Sequence, residues 1–303
     1  MRSPTKTLLL FISMLFTSAL QAQEEDMMKN LEVDSSKKEY VTMAFKSSRV
    51  IMSHSMEMIK PGVLDFRILH RFGNINYGLG EFFGLDQATI RLGLDYGISK
   101  DVTIGIGRAT YKKELDGFLK YRPVHQAKGP GSAPFSLLLI GGTTLSTLNF
   151  ADTSIEDDLS SRMAYYGQVV IGRKFSEAIT IQFMPTLLHR NLVVYTSDPN
   201  ELFAIGFGGR LKLTKRISFN VDYYYVTNQN EERTDLYNPL SIGFDIETGG
   251  HVFQLHFTNA VGMNERAFLS ETTNNWGDGD VQFGFNISRA FQIGGKKKET
   301  STY

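Results

Sequence analysis

Beyond residue 60 apolar and polar residues exchange places at nearly every step, and this period of two constrains the fold more than any other feature of the chain. In "ISFNVDYYYV" Ile217, Phe219, Val221, Tyr223 and Tyr225 share one face, while Ser218, Asn220, Asp222 and Tyr224 share the other. "LFAIGFGGRLKLT" sets Phe203, Ile205, Phe207, Leu211 and Leu213 against Gly206, Gly208, Arg210 and Lys212. "DVQFGFNIS" sets Val281, Phe283, Phe285 and Ile287 against Gln282, Gly284, Asn286 and Ser288. Side chains alternate across a strand but return only every third or fourth residue on a helix, so these segments read as strands with one apolar face. Twelve such strands are expected, near 64–72, 87–97, 101–111, 116–124, 134–146, 162–175, 178–190, 201–214, 216–228, 240–249, 251–259 and 280–293.

A soluble sandwich also alternates, but its connections need not. Here short turns at "SKD", "SEA", "TKR" and "TGG" alternate with long links such as "GNINYGLGEFFGLD", "NLVVYTSDPNE" and "VGMNERAFLSETTNNWGDG". Tight turns at one end and long loops at the other describe an outer-membrane barrel. A sheet spans hydrocarbon only if closure pairs every backbone amide. The expected fold is all-β: a closed antiparallel transmembrane β-barrel over 63–293, with short periplasmic turns and long extracellular loops. Phe72, Tyr96, Tyr111, Phe175, Tyr195 and Tyr225 are candidates for its aromatic girdles. Two links break the rule: "KKELD" (112–116) is short on the long-loop side, and "PVHQAKGPGSAP" (123–134) is long on the short-turn side. A miscounted strand nearby would produce the same exceptions.

The ends read differently. Arg2 and Lys6 precede "LLLFISMLFTSAL" and a small-residue site ending at Ala22, so residues 1–22 are expected to be a signal peptide. Residues 23–40 are charged and expected to be flexible, and 294–303 form a polar tail. Residues 41–62 alternate poorly and are open to three readings: an extra strand, a periplasmic arm, or a plug in the lumen. The 32 basic and 32 acidic residues balance to a net charge of +0, which argues against a nucleic-acid partner. The sequence has 0 cysteines, which excludes disulfides, thiolate metal sites and a lipidated N-terminal cysteine.

"LDFRILHRFGNINYGLGEFFGLDQATIRLGLDYGISKDVTIGIGR" (64–108) and "DGFLKYR" (116–122), with "FKSSRVIMSHSME" (45–57) upstream, resemble a Bacteroidota family of outer-membrane β-barrels of unknown function. The resemblance implies a barrel in the bacterial outer membrane and implies no reaction. Its N-terminal signature rests on Phe45-Lys46-Ser47 and on His54, Ser55 and Glu57.

Alternation places Asp65, Arg67, Arg71, Arg91, Asp95, Lys120, Arg122, Arg210, Lys212, Asp222, Asp245 and Glu247 on the inner wall. They suit either a polar pore for small anionic or sugar-like solutes, or a lumen closed by interlocking ion pairs. In "IMSHSMEM" Met52, His54, Met56 and Met58 fall at every second position, the arrangement a copper(I) site would use. Every strand of this chain has that spacing, so it carries little weight. His54 and Glu57 are instead the expected anchors of a plug. The carboxylates Glu156, Asp157 and Asp158, and Asp278 and Asp280, match no calcium-loop pattern, and no metal or cofactor is expected.

A nucleophile and its base on one strand face must be two residues apart. His189-Arg190-Asn191 offers asparagine where a hydroxyl is needed, Ser53 and Ser55 flank His54 on the opposite face, and His256-Phe257-Thr258 lacks an orienting acid. No enzymatic activity is therefore expected. The expected role is a passive pore for small polar or anionic solutes, or a binding and scaffold barrel for a periplasmic protein partner, in contact with outer-membrane lipid. An outer-membrane lipid hydrolase and a barrel component of a secretion or electron-transfer assembly are the alternatives.

Overall fold

The computed structural model describes residues 38–148, 158–193, 195–230 and 232–294. The expected signal peptide, most of the segment 23–40, the tail beyond Gly294, and Glu156 and Asp157 lie outside the described residues. Twelve antiparallel strands close into a barrel, each paired with its sequence neighbours and the last with the first. They are β1 (Val63–Asn74), β2 (Ala88–Ser99), β3 (Val102–Ala109), β4 (Glu114–Val124), β5 (Ser136–Ser146) and β6 (Met163–Lys174). The second half comprises β7 (Ile179–Arg190), β8 (Glu201–Lys212), β9 (Ile217–Val226), β10 (Leu240–Thr248), β11 (His251–Thr258) and β12 (Gln282–Gln292). The expected count holds and both exceptional connections are real, because neither hides a further strand of the barrel wall.

A separate compact unit pairs Glu39–Tyr40 with Ala127–Lys128, within the long connection between β4 and β5. In the β4–β5 ladder the register jumps between Tyr121 and Val124, where Pro123 has no N–H to donate. Pro185 interrupts β7 in the same way on its β6 side, where pairing skips from Gln168 to Ile171.

The outward face is a belt of half-exposed apolar side chains, including Leu94, Ile106, Leu119, Ile181, Leu187 and Phe207. Such a surface is unfavourable in water over so large an area and favourable against lipid tails. On β11, β12 and β1 it becomes aromatic: Phe72 stacks on Phe283 at 5.8 Å, and His70 on Phe285 at 4.8 Å. Phe175 and Tyr225 are exposed near strand ends, as girdle residues would be. Tyr111 and Tyr195 are corrections to that expectation. Both sit beyond the strands, Tyr111 in the short β3–β4 link and Tyr195 in the long β7–β8 loop, where the Tyr111 hydroxyl donates to Glu271 at 3.1 Å and Arg233 lies over the Tyr195 ring at 4.4 Å.

Candidate functional site

The inward positions do not enclose an empty channel. Residues 41–62 lead into β1 at the short-turn end, and from Ala44 to Ile59 most of this stretch is buried inside the barrel. The stretch adds no strand to the wall. It folds back on itself, with Val50 N donating to Ser53 O at 2.9 Å, Ser55 N to Ser48 O at 3.0 Å, and a bridge between Arg49 and His54. The turn breaks the strand alternation of "IMSHSMEM", and the methionines join the apolar core, Met58 at its edge. Met52 and Met56 pack in an apolar cluster, while His54 Nε2 meets the Tyr166 hydroxyl at 3.2 Å. Among the described residues no three His, Asp or Glu side chains are grouped as a metal site would need.

From the opposite end the β11–β12 loop contributes a short helix, α1 (Glu265–Ser270), capped by Asn264, whose side-chain oxygen accepts from Ala267 N at 2.9 Å. Phe268 and Leu269 are buried against the same cluster as Val50, Ile51 and Met52 of the inner segment. Leu138, Ile140, Val170, Met184 and Leu188 supply its wall, so the β5–β7 side of the lumen is apolar. The charged inner wall lies on the other strands.

Those charged residues hold the inner segment by its backbone. Asp222 Oδ2 accepts from the N–H groups of Ile51, Met52 and Ser53 at 3.2, 2.8 and 2.8 Å, and its Oδ1 accepts from Ser53 Oγ at 2.8 Å. Lys120 Nζ, fully buried, donates to the carbonyls of Ser55 and Glu57 at 2.7 and 2.6 Å and more weakly to Ser48 at 3.4 Å. Arg210 donates to Met43 O and Ala44 O at 3.1 and 2.9 Å. A carboxylate gathering N–H groups and two cations gathering carbonyls replace the water those groups would otherwise bind.

The remaining expected wall residues serve one another. Arg67 Nε donates to Asp65 at 2.8 Å and lies 3.5 Å from Asp95, while Arg91 Nε donates to Asp116 at 2.8 Å. Asp245 accepts from Gln254 at 2.9 Å, and Glu247 pairs with Lys46. Arg122 bonds Asp101 and the Lys100 carbonyl at the short-turn rim. Lys212 corrects the expectation of a lumen position: as the last residue of β8 it emerges at the rim, 31% exposed, with Glu177 3.9 Å away. Of the two expected anchors, Glu57 Oε2 accepts from Ala44 N at 3.0 Å and Phe45 N at 3.4 Å, bracing the segment internally. His54 Nε2 lies 3.4 Å from Glu265 of α1 and 3.2 Å from the Tyr166 hydroxyl on β6, and its ring packs on Phe118 of β4 at 4.5 Å, so it touches both the helix and the wall.

The residues that sequence reasoning missed are amides and loop acids. Gln182 exchanges two bonds with the inner segment, accepting from Met56 N at 2.8 Å and donating to His54 O at 2.7 Å. Gln254 donates to Val50 O and Asn286 to Ile51 O, at 2.7 and 3.0 Å. Glu265 meets Arg49 at 3.0 Å. At the long-loop end Glu271 accepts from Arg266 at 2.6 and 3.1 Å and from Lys112 at 2.6 Å. Burial pushes its carboxyl up, but these cations outweigh burial and hold it at about 2. The signal for α1 was present as Asn264 followed by the apolar pair Phe268-Leu269, an N-cap ahead of a buried face.

Between the inner segment and the β11, β12 and β1 wall lies a cavity of about 450 Å³ at the short-turn end. Phe45, Met58, Ile59, Val63 and Val252 line it beside Lys46, Glu57 and Asp65. This amphipathic vestibule falls within the size range of small-molecule pockets.

A closed antiparallel barrel with an apolar outer belt and a polar inner wall defines a membrane-spanning β-barrel protein. Residues 45–291 match the model of a family described as "Membrane bound beta barrel domain (DUF5777)", and the chain belongs to that family. The match takes in the inner segment as well as all twelve strands. No curated protein matches the chain in sequence. Among solved structures, the NanC porin aligns with 9% identity over 75% of this chain and 98% of its own, at a TM-score of 0.46. The KdgM porin aligns with 7% identity over 76% and 98%, at 0.44, and OmpF of Salmonella typhi, in complex with daunomycin, with 8% identity over 76% and 97%, at 0.38.

Proposed function

We propose that this is a non-enzymatic outer-membrane barrel, sealed at rest, that binds or scaffolds a periplasmic partner at its short-turn end. The resemblance to Bacteroidota barrels and the signal peptide expected from residues 1–22 support an outer membrane of that kind, with the short turns facing the periplasm. The observation that carries the reading is the meeting of the inner segment and α1, entering from opposite ends and joined through Arg49 and Glu265. Apolar packing on one side and backbone clamps on the other leave the lumen occupied at that level. The vestibule of about 450 Å³ gives a partner or small amphipathic ligand a place to bind from the periplasmic side. His54 and His256 bond to no serine or threonine hydroxyl, so neither is set to activate a nucleophile.

A pore for small polar or anionic solutes remains the second reading, favoured by the charged wall residues on β1, β2, β4 and β8–β10, and requires the inner segment to move. Planar-bilayer recording of the purified protein separates the two. The sealed reading expects silence, with proteins co-purifying through the short-turn face. Stable, salt-dependent channels from the wild-type chain would overturn it.

A further inference from the structure

Three arginines are fully buried in the barrel, and two of them have obvious counter-charges. Arg49 pairs with Glu265, and Arg91 with Asp116. Arg71, on β1 with 0% exposure, makes no ion pair within 4.0 Å among the described residues. Its Nη1 donates to His70 O at 3.0 Å and Asn286 Oδ1 at 3.1 Å, but Nε and Nη2 have no hydrogen-bond partner. Nε and Nη2 share one edge of the guanidinium, the fork that grips an anion with two parallel N–H bonds. A buried guanidinium with no hydrogen-bonded counter-ion and two N–H groups unpaired is costly enough that folded chains rarely leave it so.

The neighbours of that fork are also unsatisfied. Arg71, Gly284 and His256 sit opposite one another across β1, β12 and β11. Gly284 has no side chain to separate the other two. A Cβ there would lie 2.6 Å from His256 Nε2 and 2.9 Å from Arg71 Cδ, so both lean over the same bare stretch of backbone. His256 is 1% exposed, and among the described residues neither ring nitrogen has a hydrogen bond of ordinary geometry. Gln282, two residues along the same face of β12, has an unpartnered Oε1, and turning its amide would present N–H groups instead. Asp222 acts on Arg71 by its charge but makes no hydrogen bond to it, its oxygens accepting instead from residues 51–53.

From this convergence we infer a buried binding site for one small monovalent anion, held by the Arg71 Nε/Nη2 edge with His256 and Gln282 beside it. Bound there, the anion neutralises Arg71 and fastens β11, β12 and β1 at the level where Asn286 reaches the inner segment through Ile51 O. It is a structural ion within the wall, separate from any solute or partner of the barrel.

The full mature chain, refolded and crystallised in sodium bromide, provides the probe. The expected result is an anomalous bromide peak within hydrogen-bonding distance of Arg71 Nε and Nη2, suppressed by competing chloride and absent in Arg71→Gln. Water density without an anomalous signal at that position overturns the site, as does an undiminished peak in the variant. Should Arg71→Gln fail to fold, thermal unfolding of the wild-type chain decides. Replacing gluconate by chloride at constant ionic strength is expected to raise the Tm by several degrees, and an unchanged Tm overturns the proposal.

Discussion

Arg49 and Glu265 enter the barrel from opposite ends and meet with Nη1 and Oε1 3.0 Å apart, each side chain only 2% exposed. Arg49 also donates to Met52 O at 3.0 Å and lies over the Phe118 ring at 5.4 Å, so the pair fixes the turn of the inner segment as well as its contact with α1. Removing one member of a buried pair strands the other charge, at a cost of about 3–5 kcal/mol, whereas replacing both by apolar residues is often neutral. Arg49→Met and Glu265→Leu are therefore each expected to destabilise the refolded barrel by that amount in urea. The double variant Arg49→Met/Glu265→Leu is expected to recover more than half of the loss. Simple additivity of the two single changes would show that the residues are not coupled.

Lys120 tests whether the wall holds the inner segment through its backbone. Lys120→Met leaves the carbonyls of Ser55 and Glu57 without their charged donor, and a hydrogen bond to a charged group contributes about 1.5–3 kcal/mol. Hydrogen exchange at the Val50 and Ser55 amides, both bonded within the segment, is expected to accelerate by roughly tenfold to a hundredfold, while strand amides keep their protection. Equal acceleration in strands and segment would mean that Lys120 supports the barrel as a whole.

The barrel was legible in the sequence because lipid imposes alternation wherever a strand faces it. Each of the twelve expected strands matches an observed one to within a few residues at either end. The occupied lumen was not, for a reason visible in β5. Its "SLLLI" puts Leu137 and Leu139 outside and Leu138 and Ile140 inside, because the inner face there packs on Val50, Ile51 and Phe268 rather than on water. Apolar residues on both faces erase the period of two and say nothing about what fills the middle. The clamps escaped for a related reason. Gln182, Gln254 and Asn286 are polar inner-wall residues like any others until a second piece of chain presents its amides to them. Glu265 was hidden inside a link that reads as a long polar loop.

The methionines of the inner segment are expected to act by packing alone. Met52 and Met56 are 0% and 3% exposed and belong to the apolar cluster. Methionine-to-leucine changes preserve volume and usually cost less than about 1.5 kcal/mol each. A Met52/Met56/Met58→Leu variant is thus expected to fold as a heat-modifiable barrel and to take up silver or copper(I) to the same small extent as the wild type. Stoichiometric uptake by the wild type that the variant loses would restore the metal reading.

Glu271 makes the long-loop end sensitive to acid, with a sign that its surroundings determine. Its carboxyl titrates at about 2 in the folded chain against an ordinary value of 4.5, because Arg266 and Lys112 donate to its oxygens. A carboxyl depressed on folding stabilises the fold above its unfolded value and loses that contribution as the pH falls through its folded value. At about 1.4 kcal/mol for each step in pH, the interval from 4.5 to about 2 corresponds to roughly 3 kcal/mol. Glu271→Gln is therefore expected to be less stable than the wild type by about 3 kcal/mol at pH 7, with the gap beginning to close below pH 5 and nearly gone at pH 2. Urea unfolding of both proteins across that range measures it. A gap that stays constant with pH would mean that Glu271 acts by shape and neutral hydrogen bonding, and that the pairing with Arg266 and Lys112 contributes nothing as charge.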